Sequence, residues 1–366
     1  EFGYPKSMRL RKVVEAIFTP QEGALCLALP GTAAEVAKKL NLDVKTTTER
    51  LDNMASVGSI HRVAGSDNQF IYQPIWALEP FCDQIMWSMG PDWDEEKHNL
   101  RSERNRLIAD LINDFVENEW YRFERPDELI HRRVKMLGGT ESRTQFTVTP
   151  AWKALEKSKA APAPDPGFDL RVAAKQAKEG GQTINAGICT CKSRARKSKA
   201  PIWTCGSMRS NHELYPSHWT NHPKKFYKEW DPDEWLEMMG RCEEEFGWVH
   251  VGLPPVFYDI CTCDTECCNI FTPLKKYAHC YEGVEKSPYR SVVNRDLCQG
   301  QAHCVKRCRF EAITLEKDPL SGKRVATVND DRCVGCGQCV LGCTVEGAVR
   351  LELRDERPMR RERINQ

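Results

Sequence analysis

Long apolar runs, a charge surplus and nucleotide-binding glycines are all missing from this 366-residue sequence. No stretch approaches the roughly 18 apolar residues that a spanning helix needs, so no membrane insertion is expected. Lysine and arginine number 53 against 52 acidic residues, a formal net charge of +1. That excludes a strong global field drawing the chain to nucleic acid or anionic lipid. No G-x-G-x-x-G follows a predicted strand and no phosphate loop occurs, so no flavin or nicotinamide site is expected in the chain itself. No signal-peptide pattern opens the sequence, and a cytoplasmic protein is expected. Cysteine is scarce in the first half, where Cys26 and Cys82 stand alone before position 189. Secreted disulfide scaffolds are short and cysteine-dense throughout, so a disulfide framework is excluded.

What is present lies at the other end. Of 18 cysteines, 16 follow position 188, and thiols clustered in one half of such a chain point to metal. The length suits two or three domains. The predicted class is multidomain α+β: a helical, winged-helix-like N-terminal part, a cysteine-rich α+β middle and a C-terminal ferredoxin-like dicluster domain. Residues 8–78 read as helices over 9–18, 21–29, 33–40 and 44–56, then strands over 59–63 and 69–73. Residues 79–156 read as helical, with Trp87, Trp93 and Trp120 as packing anchors and a helix over 95–117 spaced by Leu100, Leu107, Leu111 and Phe115. Residues 157–169, rich in alanine and proline, read as a linker. Residues 170–290 form the cysteine-rich segment, 291–353 the dicluster domain and 354–366 a charged tail.

The C-terminal motif is Cys333-Val-Gly-Cys336-Gly-Gln-Cys339-Val-Leu-Gly-Cys343, the C-x2-C-x2-C-x3-C run whose fourth cysteine serves the other cluster. It repeats at a fixed offset of 35, with Cys298, Cys304 and Cys308 mirroring Cys333, Cys339 and Cys343. Crossed ligation then gives one full set, Cys308, Cys333, Cys336 and Cys339, suited to a [4Fe–4S] cluster. The other set, Cys298, Cys304 and Cys343, is one thiolate short, because position 301 is Gln. Three outcomes stay open there: a [3Fe–4S] cluster, a [4Fe–4S] cluster with Gln301 or solvent on the fourth iron, or no cluster. Fewer anionic ligands favour the reduced state, so a higher potential is expected at this set. His303 beside it is expected to face solvent.

A second thiol group comprises Cys189, Cys191, Cys205, Cys261, Cys263, Cys267 and Cys268, with Cys280 more distant. Seven thiols exceed one tetrahedral zinc site, and an additional Fe–S cluster is expected, with zinc as the alternative. Lys192, Arg194, Arg196, Lys197 and Lys199 surround the first pair as counter-charge for thiolates or as a solvated basic loop. Cys242 is expected in the core of a helix over 232–245. His212, His218 and His222 fall in a loop-like segment and are assigned no role.

These motifs resemble a family of prokaryotic 4Fe–4S dicluster ferredoxin-type proteins. The resemblance rests on Cys189–Lys192, Cys205, Gly247-Trp-Val-His250, Ile260–Cys268 and the dicluster run, and it covers about 148–352. It implies an iron–sulfur electron-transfer protein, a subunit of an anaerobic oxidoreductase complex working beside a flavoprotein or another redox enzyme in a hetero-oligomer. The chain departs from the family at Asp264 and Glu266, where many members have cysteine, and at Gln301. Two other functions compete. One is a redox-sensing winged-helix regulator, weakened by the balanced charge of helix 44–56, since DNA-reading helices are basic. The other is an enzyme using the under-ligated cluster as a substrate site.

Overall fold

The computed structural model describes residues 4, 6–65, 69–75, 78–120, 146–197, 201–209, 227–252, 260–269, 271–272, 284–319 and 321–354. The protein is a mixed α and β chain that divides into two compact units. Described residues within 1–123, 185–205 and 211–228 make the first, and those within 124–184, 206–210 and 229–366 the second. Among them, no helix is long and apolar enough to cross a membrane.

The first unit opens with α1 (Met8–Ile17), α2 (Pro20–Ala28), β1 (Gly31–Thr32), α3 (Ala33–Leu40) and α4 (Val44–Ser56), followed by β2 (His61–Ala64) and β3 (Phe70–Gln73). Local chemistry sets these starts. Thr19 with Glu22 and Thr32 with Glu35 form capping boxes, each satisfying two otherwise orphaned backbone donors. Asp43 caps α4 through the Thr46 amide, and Asn41 in left-handed conformation closes α3. The strands form an antiparallel sheet of order β1-β3-β2. Leu25, Val36, Leu51, Met54, Ile60 and Tyr72 form the core beneath it. Each fully buried aliphatic side chain there contributes roughly 1.5–3 kcal/mol of transfer free energy.

Next come α5 (Leu78–Ser88), a short hairpin of β4 (Trp93–Asp94) and β5 (Asn99–Leu100), and α6 (Glu103–Asn118). The helix expected from residue 95 therefore begins eight residues later, where Ser102 caps it through the Asn105 amide. Leu100 belongs to the hairpin, and Leu107 is exposed, while Ile108, Ile112, Phe115 and Val116 make the buried face. The stripe is one position out of the expected phase because α6 packs on α1.

Strands β6 (Phe146–Thr149), β7 (Ile184–Gly187), β8 (Cys205–Arg209), β9 (Tyr227–Trp230), β10 (Val249–Gly252), β11 (Ile260–Cys263) and β12 (Val284–Glu285) follow in the chain. In the second unit, β6 runs parallel to β12 and antiparallel to β10, which pairs with β11, and Ile260 of β11 reaches Ser207 of β8. Helices α7 (Trp152–Ser158), α8 (Leu170–Glu179) and, in the first unit, α9 (Thr190–Ala195) precede α10 (Pro232–Glu244), which packs on α8. Cys242 lies in the core of α10 with no exposure, as expected. The alanine–proline segment read as a linker does not hang free. Ala160 and Ala163 pack on the C-terminal core, the Tyr289 hydroxyl donates to the Ala161 carbonyl at 2.8 Å, and Phe168 is buried.

The C-terminal repeat appears directly in the backbone. Strand β13 (Tyr289–Val293), helix α11 (His303–Arg307) and β14 (Ile313–Lys317) are followed by β15 (Arg324–Val328), α12 (Gln338–Gly342) and β16 (Val349–Leu353). The halves interlock, because β13 pairs with β16 and β14 with β15. Neither half can form its hairpin alone.

Burial in the first unit holds the His61 imidazole down at about 4 against an ordinary 6.5. The unfolded histidine thus binds a proton that the folded one refuses, so this residue's contribution to stability is lost as pH falls from 6.5 towards 4. His61→Gln should flatten that part of the profile, read as the denaturant midpoint of the unit against pH.

Candidate iron–sulfur sites

The loop between β15 and α12 brings Cys333, Cys336 and Cys339 into one tight turn, and its backbone has almost no room. Gly335 has φ +72°, and a Cβ there would fall 2.0 Å from the Tyr289 carbonyl oxygen and 2.2 Å from Ser287 Oγ. The Ser287 hydroxyl donates to the Gly335 carbonyl at 2.8 Å and Arg354 donates to the Cys333 carbonyl at 2.7 Å. Helix α7 closes the other side: the Ala151 amide donates to the Cys336 carbonyl at 2.9 Å. A Cβ at Gly337, φ +79°, would lie 2.6 Å from Ala154 Cβ. Ala302, the counterpart of Gly337 in the first half, takes the same left-handed conformation, φ 65°, at the start of α11.

The thiols sort into two groups. Cys336 has Cys308 and Cys333 as its charged neighbours, and Cys339 has Cys336, Cys333 and Cys308. Cys304 has Cys343 and Cys298. Burial raises Cys304, and pushes Cys336 and Cys339 further up, as apolar surroundings do to any thiol. Some sulfurs already have donors: the Ala312 amide reaches Cys308 Sγ at 3.2 Å, the Ala326 amide reaches Cys298 Sγ at 3.3 Å, and Ser291 Oγ lies 2.9 Å from Cys339 Sγ.

The three-thiol set lines a small surface pocket together with Leu315, Val349 and Gln301. Both ends of the Gln301 side-chain amide are engaged by neighbours. Its Oε1 accepts from the Thr344 hydroxyl at 2.7 Å and its Nε2 donates to Gln299 at 2.9 Å. His303 is exposed at the same rim. Lys157 of α7 donates to the Val340 and Cys343 carbonyls at 3.0 and 2.7 Å, placing an ammonium at the C-terminal end of α12. No periodicity in the sequence marked Lys157 as belonging here.

The seven middle thiols divide between the units. Cys189, Cys191 and Cys205 belong to the first and Cys261, Cys263, Cys267 and Cys268 to the second. Cys189 is in contact with both Cys191 and Cys205; the first pulls the thiol down, but the second and full burial prevail, raising it to about 12. The basic run beside them is not a solvated loop. Lys192 and Arg194 are buried, Lys192 donates to Thr204 Oγ1 at 2.8 Å, and Arg194, Arg196 and Lys197 bind Asn113, Asp110 and Glu117 of α6. The run fastens the Cys189 segment to that helix. Lys199, Cys280, His212, His218 and His222 lie outside the described residues.

In the second unit, Cys263 contacts Cys261 and Cys268. Cys263 and Cys268 share an apolar cluster with Val249, Phe271, Phe310 and Val334, and Cys261, Cys308 and Cys336 pack against it. Phe271 and Phe310 meet edge to face at 5.4 Å between centroids, worth about 0.5–1.5 kcal/mol beyond their burial. The C-x-C segment therefore shares its apolar cluster with Cys308 and Cys336.

Among the described residues, no three His, Cys, Asp or Glu side chains converge on a point that one ion could occupy. A tetrahedral zinc site needs such convergence. A cubane does not, since each iron takes one thiolate. None of the described cysteines is in a disulfide.

Gly335→Ala combines positive-φ strain with a backbone clash and should cost on the order of 3 kcal/mol, read as a lower urea midpoint for the second unit. Gly322→Ala, also at positive φ but with open space around it, should cost about 1 kcal/mol. Comparison with family models, curated proteins and solved structures finds no match to this chain.

Proposed function

We propose that this chain is an iron–sulfur electron-transfer protein, with a [4Fe–4S] cluster on Cys308, Cys333, Cys336 and Cys339 and a second cluster on Cys298, Cys304 and Cys343. The observation that carries this reading is the sorting of the C-terminal thiols into those two sets by an interlocked, ferredoxin-like repeat. Clusters bound there supply one-electron transfer. The chain's own residues hold the thiols, aim amides at Cys298 and Cys308, and keep water from Cys304, Cys333 and Cys339, each under 7% exposed. Because Gln301 Oε1 is engaged by Thr344, the second cluster takes three protein ligands. It is a [3Fe–4S] centre, or a [4Fe–4S] centre with solvent on one iron.

The first unit's α1–α4 with the β1-β3-β2 sheet supports a winged-helix architecture. We read it as a docking module for a redox partner, a flavoprotein or another oxidoreductase subunit, within a cytoplasmic hetero-oligomer. On α4, Lys45 and Arg50 are offset by Glu49, while Asp52 is drawn to Arg62 at 3.0 Å and the Tyr72 hydroxyl at 2.8 Å. Such a face offers little phosphate neutralisation, so DNA binding is the weaker reading. A salt-dependent gel shift with the chain's own upstream DNA tests it.

Iron and sulfide quantitation on anaerobically purified protein, with an EPR redox titration, tests the main reading. We expect about seven or eight irons per chain and two inequivalent centres, the three-thiolate one at higher potential. Two indistinguishable low-potential four-iron signals, or an iron-free chain, would sink it. Gln301→Cys should supply the missing thiolate, bring the iron to about eight and lower the potential of that centre. An unchanged titration would reject the assignment of Gln301.

A further inference from the structure

The pocket lined by Cys298, Cys304 and Cys343 lies between two loops of the repeat. Two contacts join the loops beside it. The Thr344 hydroxyl donates to Gln301 Oε1 at 2.7 Å, and Leu297 lies against Gly347, where a Cβ would stand 3.5 Å from Leu297 Cδ1. The side chains that reach solvent at this rim are Leu297, Gln299, Gln301, His303 and Thr344. Leu297 is 45% exposed, and among the described residues of the second unit it is the one large apolar side chain left so open.

The rim also carries no fixed charge. Residues 297–305 and 333–345 contain no Asp, Glu, Lys or Arg, in a chain of which 29% is charged. Exposed charges of both signs flank the two loops: Asp296 and Glu346 are acidic, Lys306 and Arg324 basic. Arg324 adjoins Gly300, where a Cβ would stand 3.3 Å from Arg324 Cβ. Lys157 is nearby, but its ammonium is bound to the Val340 and Cys343 carbonyls. An uncharged centre holding an apolar side chain, inside a mixed charged border, has the composition of an interface core and its rim. A partner that set charges on this centre would bury them against groups unable to neutralise them.

We propose that this rim is the docking surface for a redox-partner protein that presents an uncharged, apolar face of its own. The inference rests on the electron-transfer reading of the repeat, because the rim encloses the three thiols of the proposed second centre. Two of them, Cys298 and Cys343, are partly exposed there. Contact over so small a patch belongs with short-lived redox encounters, which bury less than about 1,200 Å² in all. Lacking fixed charge, the rim contributes neither long-range steering nor salt sensitivity to the complex. Leu297 is the anchor, and the polar amides of Gln299 and Gln301 border it.

The test places benzoylphenylalanine, a photo-cross-linking residue, at position 299 or 303 of the full-length chain and irradiates it in its own cells. The protein captured from both positions is identified by mass spectrometry, purified and titrated against the unmodified chain. Its affinity should change by less than about threefold between low and high salt. Leu297→Lys should weaken it by about tenfold or more and His303→Glu by severalfold, since each buries an unpaired charge. Both variants should keep the wild-type urea midpoint, and if Leu297→Lys lowers it, His303→Glu decides alone. No capture from either position, capture of only a second copy of this chain, or a steep loss of affinity with salt would overturn the proposal. A captured protein without a redox cofactor would overturn the electron-transfer reading and this inference with it. A redox protein that binds both variants as tightly as the wild type would overturn the inference alone.

Discussion

A thiolate in an apolar core has no water to stabilise its charge, and the second unit is built around that problem. Its C-terminal thiols pack among Ala151, Leu155, Tyr289, Val340 and Leu351 on one side and Phe310 and Val334 on the other. Burial alone drives Cys304, Cys336 and Cys339 towards the neutral form. Metal ligation requires the opposite form. Polar groups lie beside three of the sulfurs: amides at Cys298 and Cys308, and the Ser291 hydroxyl at Cys339. Hydrogen bonds to sulfur and exclusion of solvent are two of the factors that set an iron–sulfur potential, and under the proposed reading these amides and this packing would supply them.

The same packing accounts for the additions around the repeat. Helix α7 lies outside the duplicated segment, yet it supplies Ala151 to the Cys336 carbonyl, Ala154 to the space beside Gly337 and Lys157 to α12. It is held by Glu243 of α10, a carboxylate with no exposure. Glu243 accepts from the Trp152 and Lys153 amides at 2.9 and 3.0 Å, capping the helix, and is bound by His250 Nε2 at 2.9 Å. Breaking one partner of such a buried polar group leaves a charge or dipole without compensation, at a cost of several kcal/mol. Arg307 of α11 donates to the Glu243 and Glu244 carbonyls, and Gln338 of α12 donates to the Trp248 carbonyl at 2.6 Å. Polar links of this kind tie both halves of the repeat to the sheet that carries Cys261 and Cys263.

Where local chemistry decides, the sequence was readable. The capping boxes at Thr19 and Thr32, the Asp43 cap and the 35-residue repeat all lie where their residues indicate, because each depends on neighbours within a few positions or on a strict copy. The reading slipped where tertiary contact overrode period. Leu100, Leu107 and Leu111 keep helical spacing, but α1 selects the adjacent face of α6, and Trp93 and Leu100 are used by a hairpin instead. The alanine–proline stretch has linker composition, yet its small side chains suit it equally to lie flat on a core. The basic run after Cys191 has the composition of a solvated loop, and only the acidic face of α6 explains its burial.

The sequence by itself determined the 35-residue duplication of the C-terminal cysteines and its one break at Gln301, since both are read from spacing alone. It also determined the starts of α1 to α4 in the first unit, to within a residue. Only the tertiary structure decided what surrounds those thiols. It placed Cys261, Cys263 and Cys268 in one apolar cluster with Cys308 and Cys336, divided the middle cysteines between two units, and turned Gln301 towards Thr344. Those outcomes depend on contacts between segments up to 186 residues apart, and no local pattern encodes which surfaces will meet when the apolar groups are buried.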